Sequence, residues 1–281
     1  MTMATEHTGS NPIDLTVSKL EASIMKVTRK ESASCESHGL FARYFNHHLP
    51  EGSNCPTCAA EAQKIKDEEE REIASKKATA DRLTKRLGSA MIPPRFQGKT
   101  FDAFVASDDK QAKVLRVCRE YAENFDKHFN EGRSLLLLGN VGTGKTHLAA
   151  SIADYVITKQ GCTALYRTVY GILQYVKGSF DRESEYNETD AFAAFIDPHL
   201  LIIDEVGATK TTEFEQQTLF NIINGRYEQQ IPTIVISNLM PEELVAALGE
   251  RCVDRLREGG GIAQVFTWGS VRKTIKLGDE S

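Results

Sequence analysis

The chain has 281 residues, 41% of them hydrophobic and 26% charged, with a formal net charge of −5. That length holds one domain of about 150–200 residues plus extra material, in an ordinary globular composition. The acidic balance excludes a strongly basic whole-molecule field, so any nucleic-acid contact needs a local patch. No apolar run approaches the roughly 18 residues of a membrane helix, and the polar Met1–Pro12 has no apolar secretion segment. The expected location is therefore cytoplasmic.

Residues 1–34 are polar and rich in Ser and Thr, with a weak apolar rhythm of Ile13, Leu15, Val17, Leu20, Ile24 and Val27. They are expected to be mobile, with room for one short helix. Residues 35–58 form a metal-binding module: Cys35-x₂-His38-x₁₆-Cys55-x₂-Cys58 supplies three thiolates and one imidazole in two close pairs. Such a set suits tetrahedral zinc with no open coordination position, which makes the role structural. His47 and His48 are alternative ligands that break the two-residue spacing. Phe41, Tyr44 and Phe45 suit either a binding surface or the module's own core. Cys118, Cys162 and Cys252 stand alone as reduced thiols.

Residues 59–92 read as a charged helical linker. Between Glu61 and Leu87, 15 of 27 residues are charged, which leaves too narrow an apolar stripe to pack as core. The helix is expected to end at Gly88, before the break enforced by Pro93-Pro94. Over 93–281 strands and helices alternate. Ser134–Leu138, Thr163–Tyr166, Leu200–Ile203, Thr233–Ser237 and Gln264–Thr267 are the strand candidates. Lys145–Gln160, Gln216–Gln229 and Pro241–Leu248 are the helices. Continuous apolar strands alternating with helices predict an α/β domain with a parallel sheet covered on both faces.

Gly139-Asn140-Val141-Gly142-Thr143-Gly144-Lys145-Thr146 fits G-x-x-x-x-G-K-[ST] between a strand and a helix. Its N–H groups cradle phosphate oxygens, Lys145 reaches the β- and γ-phosphates, and Thr146 offers its hydroxyl to Mg²⁺. ATP is the expected nucleotide. Some sixty residues on, Leu200–Ile203 delivers Asp204 and Glu205 to the end of a buried strand. Asp204 is placed to hold Mg²⁺ through water, and Glu205 to polarise an attacking water. Asn238 ends the next strand; orienting that water and forming a turn before Pro241 are equally open roles.

From about Phe96 to Lys276 the chain resembles the AAA+ ATPase domain of DnaC-type replicative helicase loaders, and is similar to the IstB-type transposition ATPases. The residues that carry this are Gly139–Thr146 followed by His147-Leu148-Ala149-Ala150, then Leu201–Gly207, Ser237-Asn238-Leu239 and Leu248–Arg257. The resemblance implies an AAA+ P-loop domain preceded by the zinc module and the charged helix. It implies an ATPase that delivers a DnaB-type hexameric helicase onto single-stranded DNA, self-associating into a helical or ring-like assembly. In such proteins an arginine completes a neighbour's ATP site. Arg255 best matches that finger and Arg251 is the alternative, while Arg272 matches a same-subunit arginine that senses the γ-phosphate. Asn224-Gly225-Arg226-Tyr227 matches a pattern near the subunit interface. Gly171–Tyr186 matches an extra initiator-type helix, in which Tyr175, Lys177, Phe180 and Arg182 interleave aromatics with cations suited to single-stranded DNA. The Cys/His arrangement is similar to one at the front of many phage-encoded relatives, so host and phage origin both stay open. A transposition helper and an ATP-switched scaffold are the competing functions.

Overall fold

The computed structural model describes residues 13–209 and 211–271. It divides into two compact units, one through Thr79 and one from Ala80 onward.

In the first unit, α1 (Lys19–Ile24) starts on a capping box: Ser18 Oγ accepts from the Glu21 amide, and Glu21 accepts from the Ser18 amide. Strands β1 (Arg29–Cys35) and β2 (Gly39–Phe45) form an antiparallel hairpin whose last pair is Cys35 with Gly39. Gly39 takes φ +74°, the left-handed conformation that closes the tip. The hairpin thus begins at Arg29, inside the segment expected to be mobile, so the metal module starts six residues earlier than its first cysteine suggests. Val27, Phe45, Ser53 and Cys55 make its small buried core, which places Phe45 inside the module.

Helix α2 runs from Pro56 to Ser89, with Pro at its first position where no N–H is needed. None of its residues is fully buried, as its charge density implies. Its last turns depart from that expectation. Leu83 and Leu87 pack against the core of the second unit, where Ala90 and Ile92 are buried. Packing of that unit therefore starts before residue 93.

The second unit is built on five parallel strands: β3 (Leu135–Gly139), β4 (Ala164–Thr168), β5 (Leu200–Val206), β6 (Thr233–Ser237) and β7 (Ile262–Phe266). Their order is β4-β5-β6-β3-β7. Side chains alternate along each strand, so one apolar run feeds two cores. Leu135, Leu137, Leu200, Ile202, Ile234 and Ile236 point to one face, with α3 (Asp109–Glu123) and α5 (Lys145–Gln160). Leu136, Leu138, Leu201, Ile203 and Val235 point to the other. There they meet α6 (Val169–Gly178), α7 (Glu188–Ile196), α8 (Glu213–Glu228), α9 (Pro241–Leu248) and α10 (Glu250–Arg257); the short α4 (Phe125–Asn130) precedes β3.

Two expectations change here. The candidate helix at Gly171–Tyr186 ends at Gly178, and Tyr175 is not a free stacking platform. Its ring lies flat on Tyr186 at 4.5 Å and edge-on to Phe195 in the second core. Phe180, beyond the helix end, stays 55% exposed. Arg226, read as an interface residue, is fully buried. Its guanidinium donates to Thr233 Oγ1 and to the carbonyls of Phe195, Ile196, Pro198 and Pro232, tying the end of α7 to the start of β6. Burial lowers its pKa to about 9, which leaves it charged at neutral pH.

Candidate nucleotide site and metal cluster

The loop between β3 and α5 opens onto a cleft of about 420 Å³ at the C-terminal edge of the sheet. Glycine is required in it: Gly144 takes φ +100°, and a Cβ there would meet the Phe104 ring at 2.5 Å. The loop is braced from the far end of the chain. Trp268 Nε1 donates to the Thr143 carbonyl, Asn140 donates to the carbonyls of Thr267 and Trp268, and the Val271 amide donates to the Gly142 carbonyl. Lys145 is buried, with its ammonium 2.7 Å from the carbonyls of both Gly139 and Asn140. An α-helix begins at this lysine, so the positive end of its dipole faces the cleft.

Strand β5 delivers Asp204 to the cleft floor, where it is 6% exposed. Thr146 Oγ1 donates to Asp204 Oδ2 at 3.0 Å. Two further donors converge on this carboxylate: the Glu205 amide on Oδ1 at 2.6 Å and the Tyr166 hydroxyl on Oδ2 at 2.5 Å. Glu205 is exposed and takes φ +62° beside a break in the β5–β6 register. A non-glycine residue there carries strain; its carboxylate lines the cleft mouth with Asn238. Val141, Gly142, Thr143 and His147 line the same cleft. The His147 ring is held by the Thr100 carbonyl at 3.0 Å and stands edge-on to Phe104.

Sequence reasoning missed Arg95, Phe96 and Lys99, which bring two cations and an aromatic ring to the cleft. The signal was present as two basic residues flanking Phe directly after Pro93-Pro94. It also missed Tyr166, which reads as an ordinary core aromatic. Arg255 does not line this cleft. It borders a separate one of about 330 Å³ with Tyr227, Glu228 and Glu258. Its Nε lies 2.5 Å from Asn224 Oδ1, and its planar group sits 5.3 Å from the ring centres of both Phe220 and Tyr227. Arg251 and Arg257 are exposed. Arg272 lies outside the described residues.

The second chemical cluster lies in the first unit. One ligand atom from each of Cys35, His38, Cys55 and Cys58 falls within 4.8 Å of the others. Cys35 Sγ is 3.5 Å from Cys58 Sγ and 3.8 Å from His38 Nδ1, and Cys55 Sγ is 3.8 Å from the same nitrogen. Bonds of about 2.3 Å to a central ion give tetrahedral edges of about 3.8 Å, so the spacing fits four-coordinate zinc. The charges fit as well. Backbone N–H groups of His38 and Ser37 pull the Cys35 thiol down to about 6, while the adjacent Cys35 sulfur pushes Cys58 up to about 11. Crowded sulfurs of this kind call for a cation. The other His38 nitrogen, Nε2, faces Glu61 Oε1 at 3.2 Å, which fixes Nδ1 toward the cluster. His47 and His48 stack edge-on against one another and are not part of this group.

A sequence model described as "IstB-like ATP binding protein" matches residues 61–256. The chain belongs to this family. Among the relatives of this IstB-like protein, a replicative helicase loader DnaC from Buchnera aphidicola subsp. Acyrthosiphon pisum is 32% identical over 197 residues. That alignment covers 70% of this chain and 78% of the relative. The replicative helicase loader DnaC of Escherichia coli K12 is 30% identical over 196 residues, with the same coverage. Among solved structures, the fold matches a DnaC helicase loader with a TM-score of 0.56 and 22% identity, covering 62% of this chain and 99% of that one. It also matches a replication initiator DnaA bound to AMPPCP and single-stranded DNA, with a TM-score of 0.53 and 22% identity, covering 64% and 52%. The second unit thus has the AAA+ fold, in a family described as ATP-binding. No helix among the described residues is long and apolar enough to cross a membrane.

Proposed function

We propose that this protein is an ATP-dependent loader that delivers a DnaB-type hexameric replicative helicase onto single-stranded DNA. The observation that carries the reading is the meeting of the phosphate loop and Asp204 in one cleft, in a chain whose relatives are named replicative helicase loaders. Lys145 leaves its loop carbonyls for the β- and γ-phosphates. Thr146 and Asp204 hold Mg²⁺, for which a hydroxyl 3.0 Å from a carboxylate at the cleft floor is a suitable donor set. Glu205 polarises the attacking water, with Asn238 beside it. Arg255, distant from the cleft of its own chain, serves a neighbour's site, since a guanidinium is always charged and grips phosphate oxygens with a planar fork. Cys35, His38, Cys55 and Cys58 hold a structural zinc.

Co-purification with the resident replicative helicase tests this reading. The complex is expected to form with ATP present and to dissociate when single-stranded DNA and hydrolysable ATP are supplied together. No association in any nucleotide state would defeat it. The likeness to IstB-type ATPases favours a second reading, a transposition helper; it predicts ATP-dependent binding to duplex DNA and no helicase complex.

A further inference from the structure

We infer that Tyr166 is a positioning residue for the metal of the nucleotide site, its hydroxyl fixing the Asp204 carboxylate from outside the phosphate loop. The inference rests on reading the cleft as a Mg²⁺–ATP site. A carboxylate has about four acceptor positions. Three of those on Asp204 are filled, by the Glu205 amide on Oδ1 and by the hydroxyls of Thr146 and Tyr166 on Oδ2. The position left over lies on Oδ1, and it is the one that a metal-bound water can use.

The three donors are not equivalent. Thr146 lies in the first turn of α5, beside the phosphate loop, and Glu205 follows Asp204 along β5 in a strained left-handed conformation. Tyr166 is 5% exposed in the middle of β4, a strand paired to β5 from Ala164 through Thr168. Among the three donors, it alone reaches Asp204 from a neighbouring strand. A buried tyrosine needs some acceptor. Here it takes a charged one, and hydrogen bonds of that kind are about twice as strong as neutral ones.

Binding of a fluorescent ATP analogue to the full chain tests the role, measured in EDTA and then across a Mg²⁺ titration. Tyr166→Phe should weaken the apparent Mg²⁺ affinity by about 10–100-fold, with the loss appearing only when metal is present. In an Asp204→Asn background the same substitution should leave the Mg²⁺ dependence unmoved. An unchanged Mg²⁺ dependence, or an equal loss with and without metal, overturns the positioning role. Wild-type protein that binds no nucleotide at all would instead sink the reading of the cleft itself. Should the variant not fold, the unsubstituted protein still decides the matter by NMR. A slowly exchanging Tyr166 hydroxyl proton that persists on adding Mg²⁺ and the analogue supports the role, and its loss on metal binding overturns it.

Discussion

Glu205 is the residue whose chemistry depends most on backbone geometry. Asp204 is turned down into the cleft floor, and a continued strand would turn Glu205 into the opposite core. The left-handed step at φ +62° instead brings the second carboxylate to the mouth, exposed beside Asn238. Strain of order 1–3 kcal/mol at such a position persists where the surroundings enforce it; here the Glu205 amide is held by Asp204 Oδ1 and Ser237 Oγ donates to the Val206 carbonyl. Glu205→Gln keeps the shape and removes the carboxylate proposed as the base. It should bind ATP normally and turn over about 10²–10⁴-fold more slowly, measured as steady-state phosphate release beside nucleotide affinity. Near-normal turnover would take the role from Glu205. The pair itself was legible from four apolar residues followed by two acids, but the conformation that separates their roles was not. Arg226 was misread for a related reason. Gly225-Arg226-Tyr227 looks like a polar helix end, and only the tertiary placement of the Phe195, Ile196 and Pro198 carbonyls shows that the arginine is an internal clamp.

Among the elements, α2 poses the sharpest physical problem. A helix of 34 residues with none fully buried gains little from packing. Two local devices support it. Ion pairs such as Lys76–Glu72 at 2.6 Å each add only a few tenths of a kcal/mol. The other is at its start, where the metal ligand Cys55 directly precedes Pro56 and Cys58 lies in the first turn. Metal analysis should find about one zinc per chain. Stripping it with a strong chelator should lower the helical circular-dichroism signal while the phosphate-loop unit still binds ATP. A metal-free preparation with full helicity would defeat this account. The strands β3, β5 and β6 of the second unit were legible to within a few residues because each is built on an apolar run feeding two cores. The hairpin β1–β2 was not, because Arg29–Cys35 carries no apolar run and is organised by its turn and by the cysteines. The last turns of α2 escaped for the opposite reason: two leucines suffice when the surface they meet is already built.

For the whole molecule, the placement of Arg255 bears on whether the proposed hydrolytic site is shared between subunits. In a self-contained ATPase a transition-state arginine would reach its own γ-phosphate, whereas this one stacks beside Phe220 and Tyr227 on α8 and borders a cleft that shares no lining residue with the nucleotide site. Arg255 is proposed to serve the site of a second subunit. Arg255→Ala protein should therefore bind ATP yet lose DNA-stimulated hydrolysis, by about 10³–10⁵-fold if the arginine acts as a transition-state finger. Lys145→Ala protein should fail at the earlier step and bind no nucleotide. Mixing the two separates trans from cis action. A Lys145→Ala subunit still carries Arg255 and can present it to the intact loop of an Arg255→Ala neighbour, so a 1:1 mixture should recover part of the wild-type rate. Phosphate release measured across mixing ratios should peak between the two pure variants. A flat response at every ratio would mean that Arg255 acts within its own chain, and the shared-site reading would fall with it.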